Sequence, residues 1–133
     1  MICADTSAWV EFFRRTESPA DLELTRLLGE GADLAMSEVV VMEVLAGARS
    51  NTDRERIRSY VVALPLLVLR GLDDYEEAAT IYRTCRAAGE TIRKLTDCLI
   101  AVPAIRAGAE MLHKDADFDV IARHTPLRIH PLP

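Results

Sequence analysis

The sequence predicts an α/β fold, a parallel sheet with helices packed on both faces, and three observations lead to it. Short apolar runs alternate along the chain with longer segments of helical period, which is how strand–helix–strand units read. Glycines or short polar caps punctuate most changes of period, as helix ends require. No repeat, biased segment or Pro/Gly-rich linker interrupts the 133 residues. Residues 1–133 therefore read as a single domain, long enough to bury roughly two-thirds of its unfolded surface.

Ile2-Cys3-Ala4 is the first strand, followed by a helix from about Ser7 to Arg15 that sets Ala8, Trp9, Phe12 and Phe13 on one face. A second helix, Pro19 to Leu28, is ended by Gly29 and Gly31. Leu34-Ala35-Met36 reads as a strand, with Ser37 as N-cap of a helix running to Ala46 and stopped by Gly47. Thr52 with Glu55, and Asp73 with Glu76, have capping-box spacing and open helices over 52–63 and 73–88, the latter closed by Gly89. Between them Leu66 to Leu69 is a strand. A helix from Asp97 to Ala107 ends at Gly108, and its Pro103 deletes the amide due to the carbonyl of Leu99. That predicts a kink, costing about 3 kcal/mol or more if unrelieved. Met111 to His113 is a strand, Phe118 to Arg123 a short helix, and Leu127 to Ile129 the last strand.

Composition narrows the function. With 50% hydrophobic and 28% charged residues, the chain is neither disordered nor collagen-like. Its apolar runs fall well short of the roughly 18 residues that span a bilayer, and Met1 to Asp5 has no basic or apolar leader, so neither a membrane segment nor a secretory signal is expected. Three cysteines at unrelated spacings, Cys3, Cys85 and Cys98, make no disulfide framework and no zinc pattern. A reducing, cytoplasmic setting is expected. Net charge −5 argues against coating nucleic acid by bulk electrostatics, unless several acids share one metal-binding cluster.

The acids do gather by topology. In a parallel sheet, ligands bind at the carboxyl ends of the strands. Asp5 directly follows the first strand, and Asp115 follows the Met111–His113 strand with one residue between. Asp97 opens the helix leading into that strand. About 11 helical residues rise about 16 Å, so the first turn returns to the same edge. Glu43, in Val39-Val-Val-Met-Glu-Val-Leu-Ala, is a carboxylate among apolar neighbours, desolvated at a cost unless it meets a cation. Each acid also has an ordinary reading. Asp5 serves as a helix cap, Asp97 as a first-turn acid, Asp115, Asp117 and Asp119 as a solvated turn, and Glu43 as a side chain in water. Convergence on one edge is what those readings leave unexplained. No set of lysines is aimed at the same point, so a hard divalent cation, Mg²⁺ with Mn²⁺ as substitute, is expected to hold the acids together. His113 reads as packed or hydrogen-bonded rather than as a ligand. A cation held by carboxylates alone suits phosphoryl chemistry.

With those residues in view, the chain resembles the PIN-domain ribonucleases, in particular VapC-type toxins of bacterial toxin–antitoxin pairs. The matching pieces are Asp5-Thr-Ser-Ala-Trp, Met42-Glu-Val-Leu-Ala-Gly, Gly89-Glu-Thr-Ile-Arg-Lys-Leu-Thr-Asp-Cys-Leu-Ile-Ala and His113-Lys-Asp-Ala-Asp-Phe-Asp-Val-Ile-Ala. They occur in family order across nearly the whole chain. The resemblance implies a three-layer α/β/α PIN-like domain with about five parallel strands. It further implies a metal-dependent endoribonuclease that cuts single-stranded RNA such as a tRNA or rRNA loop, a cognate VapB-type antitoxin, and a homodimer. Its acidic quartet lands on Asp5, Glu43, Asp97 and Asp115, with Asp117 a fifth acid. Asp5 and Asp97 resemble direct Mg²⁺ ligands, while Asp115, Asp117 and Glu43 would complete the metal positions or hold the attacking water. Thr96 stands where the family often has Asn, and its hydroxyl is expected to cap the helix.

Arg83, Arg86, Arg93 and Lys94 form the most basic stretch. Arg93 and Lys94, just before Asp97, are expected to meet RNA phosphates, the alternative being a solvated loop. Two other functions remain open. A receiver or dehalogenase-like phosphatase needs paired acids at the first strand, where only Asp5-Thr-Ser stands. A PIN-fold binding module without catalysis is the second.

Overall fold

The computed structural model describes residues 1–133. In chain order the elements are β1 (Ile2–Ala4), α1 (Thr6–Arg14), α2 (Pro19–Glu30), β2 (Leu34–Ser37), α3 (Glu38–Ala46), α4 (Asn51–Ala63), β3 (Leu66–Leu67), α5 (Leu72–Ala87), α6 (Leu95–Ala107), β4 (Glu110–Leu112), α7 (Ala116–His124) and β5 (Arg128–Ile129). The five strands form one sheet in the order β3-β2-β1-β4-β5. Every pairing is parallel, with Ile2 opposite both Leu34 and Glu110, Met36 opposite Leu66, and Glu110 opposite Arg128. Helices cover both faces, giving the expected three-layer α/β/α architecture.

Parallel strands buried on both faces should be apolar throughout, and Cys3, Ala4, Leu34, Ala35, Met36, Met111 and Leu112 are all buried. The helices dock with their apolar faces inward. On α1, Ala8, Trp9 and Phe12 are buried; Trp9 stacks on Phe13, and both Phe12 and Phe13 meet Tyr60 of α4 edge-on. That aromatic cluster fixes α4 beside α1. Helix α6 is the most buried: Cys98, Ile100, Ala101, Val102, Pro103 and Ala104 all lie inside. Pro103 does not end it, since the helix continues to Ala107. All three cysteines are buried and free.

The structure revises several element ends. Helix α4 begins one residue earlier than expected, capped by Ser50, whose Oγ accepts the amide of Asp53 at 3.1 Å; Thr52 and Glu55 make no capping box. Helix α5 begins at Leu72 after Gly71, whose φ of 68° only glycine adopts readily. Asp73 does not cap it. Its neighbour Asp74 turns inward, accepting the Arg70 amide at 2.8 Å and pairing with Arg106. Strand β3 stops at Leu67 because the Leu69 amide goes to Glu38 Oε1 at 2.6 Å. Helix α6 starts two residues before Asp97 with no side-chain cap, so Thr96 lies inside the helix and does not cap it. Helix α7 starts at Ala116, two residues earlier than expected, because Asp115 caps it.

Candidate active site

Sheet order brings the acids together. Strands β1 and β4 are neighbours, and the Asp5 amide donates to the Leu112 carbonyl at 2.9 Å just beyond both strands. Asp5 caps α1: its Oδ2 accepts the Ser7 amide at 3.0 Å and the Ser7 hydroxyl at 2.7 Å. Ser7 Oγ in turn accepts the Lys114 amide at 2.9 Å, tying the end of β1 to the end of β4. Asp115 caps α7 in the same way, Oδ1 taking the Asp117 amide at 3.0 Å. Asp97 projects from the first turn of α6, its amide bonded to the Lys94 carbonyl. Glu43, half-buried on α3, accepts the Thr6 hydroxyl at 2.7 Å through Oε1. The structure thus brings together every predicted acid.

Asp97, Asp115 and Asp117 each offer a carboxylate oxygen within 4.8 Å of the others. Asp5, Asp97, Asp115 and Asp117 are 1%, 2%, 7% and 3% exposed, too little for water to screen one from another. Asp97 shows the strain most. Burial, the charge of Asp5 and the adjoining Asp115 carboxyl push it up to about 8, against the pull of Lys94. Burial also raises Asp5, opposed by its bonds to Ser7 and Thr6 and reinforced by the charge of Glu43. Asp115 goes the other way. Burial would raise it, but the Asp117 amide, the Asp97 carboxyl and Lys94 hold it below the ordinary range. Without a cation, therefore, the cluster keeps a proton, on Asp97, at neutral pH.

Two buried oxygens find no hydrogen-bond partner: Asp5 Oδ1 and Asp97 Oδ2. Buried carboxylate oxygens left unbonded are costly. A set made wholly of carboxylates, with two oxygens free and a proton to displace, fits a hard dication such as Mg²⁺ or Mn²⁺. Histidine contributes no ligand. His113 Nδ1 accepts the Asp115 amide at 3.0 Å and Nε2 pairs with Asp119 at 3.2 Å, while the ring packs on Phe118.

One lysine reaches the cluster. Lys94 Nζ lies 3.2 Å from Asp115 Oδ2; burial would lower its pKa, but the Asp115 hydrogen bond and the charges of Asp97, Asp115 and Asp5 raise it. Arg93 approaches Asp115 at 3.4 Å and Asp117 at 3.5 Å. Both side chains stay largely exposed, 71% for Arg93 and 57% for Lys94, while reaching those carboxylates. The reason lies in the backbone: Asp117 Oδ2 accepts the amides of both Arg93 and Lys94, at 3.1 and 3.2 Å, and so pins that turn over the site. Asp117 is thus a positioning residue for the turn as well as a member of the cluster. Sequence reading also missed Thr6 and Ser7, which orient Glu43 and Asp5. The available signal was two hydroxyl residues directly after an acid at a strand end.

Comparison with known proteins gives the family. The PIN domain family profile matches residues 2–124. Ribonuclease VapC11 of Mycobacterium tuberculosis is 51% identical over 129 residues, 96% of each chain, and a VapC ribonuclease of Mycobacterium bovis matches to the same extent. Among solved structures, VapBC2 from Rickettsia felis, bound to a promoter DNA fragment, superimposes with a TM-score of 0.75 at 18% identity over 98% of each chain. FitAB bound to DNA gives 0.76 at 20% identity, over 98% of this chain and 94% of its own. The solved structures share the fold.

Proposed function

The chain belongs to the PIN domain family, as a VapC-type ribonuclease toxin with a cognate antitoxin, and on that premise we propose how its own residues cut RNA. Residues 1–133 act as one domain. Asp5, Asp97, Asp115 and Asp117 hold Mg²⁺, with Mn²⁺ as substitute, and Glu43 completes the catalytic set with Asp5, Asp97 and Asp115. The reading rests above all on the two unpartnered buried oxygens, Asp5 Oδ1 and Asp97 Oδ2, beside carboxyls crowded within 4.8 Å. When bound, the ion supplies acidity for an attacking water and positive charge for the leaving oxygen.

The protein's part is orientation and proton handling. Glu43, fixed through Oε1 by Thr6, takes the proton of the attacking water at Oε2. The water oxygen bonds to phosphorus as the opposite P–O bond breaks, and the departing oxygen is protonated from solvent, leaving a phosphate monoester and an alcohol. Arg93 and Lys94, exposed beside Asp115 and Asp117, would be available to substrate phosphates with a cation neutralising those carboxylates. The substrate is single-stranded RNA, such as a tRNA or rRNA loop, met in the cytoplasm by a homodimer that a VapB-type antitoxin neutralises. No helix is long and apolar enough to cross a membrane.

The test uses protein freed of antitoxin and incubated with RNA and Mg²⁺ or Mn²⁺. Cuts that EDTA abolishes, and that Asp5→Asn and Asp97→Asn lose while still folding, are the expected result. Cleavage that survives both substitutions would overturn the assignment.

A further inference from the structure

Beside Glu43, helices α1, α3 and α4 enclose a groove of about 570 Å³ lined by Val10, Phe13, Arg14, Glu43, Arg49 and Arg56 among others. That volume is ample for a small-molecule fragment, and here for a nucleotide. Its cations differ from those over the metal cluster. Arg93 and Lys94 are matched to Asp115 and Asp117, and Lys114 to Glu11. Arg14, Arg49 and Arg56 pair with no carboxylate, although Asp53 also lines the groove, its Oδ2 accepting the Arg49 amide at 3.4 Å. A chain of net charge −5 has thus set three uncompensated guanidiniums around one cleft adjoining the scissile site. Arg49 and Arg56 belong to one arginine-rich stretch, Arg49 to Arg58, while Arg14 comes from the end of α1 and joins them only through packing.

The groove also has a stacking surface. Arg56 lies over the rings of Phe13 at 5.1 Å and Phe12 at 5.7 Å and donates Nη1 to the Phe13 carbonyl at 3.3 Å. Phe13 stacks in turn on Trp9, with centroids 5.6 Å apart. A guanidinium plane held on aromatic rings is a ready platform for an unpaired base. Uncompensated positive charge with a stacking plane favours a polyanion with exposed bases over an apolar or basic peptide.

We propose that this groove seats the single-stranded RNA flanking the scissile phosphate, Arg14 and Arg49 on backbone phosphates and the Arg56–Phe13 stack beneath a base. The proposal rests on the ribonuclease assignment and adds the site that holds the substrate beyond the metal. It also makes Arg14, Arg49 and Arg56 determinants of which RNA is held.

The experiment measures binding of a fluorescein-labelled, mixed-sequence single-stranded RNA, with Ca²⁺ replacing Mg²⁺ to suppress cleavage, across a salt series. Arg14→Ala/Arg49→Ala should weaken binding about tenfold and flatten the slope of log affinity against log salt by about 1.4, the loss of two phosphate contacts on a single strand. The metal-induced rise in melting temperature should not change. Arg56→Lys, which keeps the charge and loses the plane, should weaken binding with the slope unchanged. If the double variant keeps RNA affinity and slope but loses affinity for an acidic antitoxin peptide, the groove is a protein-binding surface and the proposal fails. If the unaltered protein neither binds nor cuts RNA while still responding to metal, the ribonuclease assignment falls and takes the proposal with it.

Discussion

Replacing Asp97 with Asn should stabilise the metal-free protein while leaving it inert. In the unfolded chain this carboxyl ionises near 3.8; in the folded chain burial, Asp5 and Asp115 push it up to about 8. Between those values the folded state holds a proton that the unfolded state has lost. Stability therefore falls as pH rises through the window, by about 1.4 kcal/mol per pH unit, and levels off above about 8. At pH 7 the accumulated cost is about 4 kcal/mol, with little solvent discount because Asp97 is 2% exposed. An amide keeps the shape and removes the charge but gains no new partner for the atom at Oδ2, so the net gain should be about 1–4 kcal/mol, or a melting temperature higher by about 5–15 °C. Thermal melts in EDTA from pH 5 to 9 read the effect: wild type should slope downward and Asp97→Asn should be nearly flat. Adding Mg²⁺ should raise the wild-type melt and barely move the variant. The reasoning is refuted if, in EDTA at pH 7, the variant melts at or below wild type and the two pH slopes coincide.

Thr6→Val frees Glu43 from its 2.7 Å hydrogen bond and should lower kcat about tenfold to a hundredfold with KM and melting temperature little changed; unaltered kcat would remove Thr6 from the mechanism. Lys94→Met deletes the counter-charge on Asp115, so the melt in EDTA should drop and the Mg²⁺-induced rise should grow, whereas an equal rise in both proteins would show that Lys94 does not offset the cluster. Asp5→Ser retains a helix cap and loses the free oxygen, so the fold should persist while metal stabilisation disappears, and Asp5→Ala should cost a further ~1 kcal/mol for the cap; retained metal response in the serine variant would exclude Asp5 as a ligand. His130, between Glu23 at 2.8 Å and Glu110 at 2.9 Å, has its pKa raised by those carboxylates against the opposing effect of burial. Glu23 is lowered to about 2 by Arg26 and His130. The His130 contribution is therefore complete below about 6.5 and lost as pH rises through its folded pKa, while that of Glu23 is complete above about 4.5 and lost as pH falls toward 2. Urea titrations should find His130→Gln lacking the alkaline limb and keeping a smaller acid limb, since Arg26 still holds Glu23 down; an unchanged alkaline limb would assign it elsewhere.

The α/β class and the common edge of the acids were legible because both follow from order along the chain. Parallel strands share a carboxyl end, and Asp5, Asp97 and Asp115 each stand next to a boundary that periodicity reveals. What periodicity does not carry is the competition between caps. Ser50 caps α4 in place of Thr52, and α5 has no side-chain cap, Asp74 instead turning inward to the Arg70 amide, because the outcome depends on which side chain the turn points inward. Lys94 was legible as a residue beside the site, but its pairing with Asp115 was not, for a similar reason. Its position is dictated by Asp117, 23 residues on, a contact with no local signature. In the α1–α3–α4 groove, Arg49 and Arg56 are near in sequence, but their meeting with Arg14 depends on tertiary packing.

For Asp5 and Asp115, the helix cap is compatible with the metal ligation proposed above. A carboxylate has two oxygens, and each of these residues gives one to the helix it starts: Oδ2 of Asp5 to Ser7 and Oδ1 of Asp115 to Asp117. The cap fixes the rotamer, and a fixed rotamer aims the second oxygen, Asp5 Oδ1 unpartnered and Asp115 Oδ2 against Lys94. The amide-rich starts of α1, α6 and α7 also place partial positive charge beside carboxylates that repel one another. Local capping thus lowers the cost of assembling an acidic cluster, and it does so with residues the cluster needs in any case. A short loop between strand and helix is enough to set each one, which is why so few positions outside the core are required to build the site.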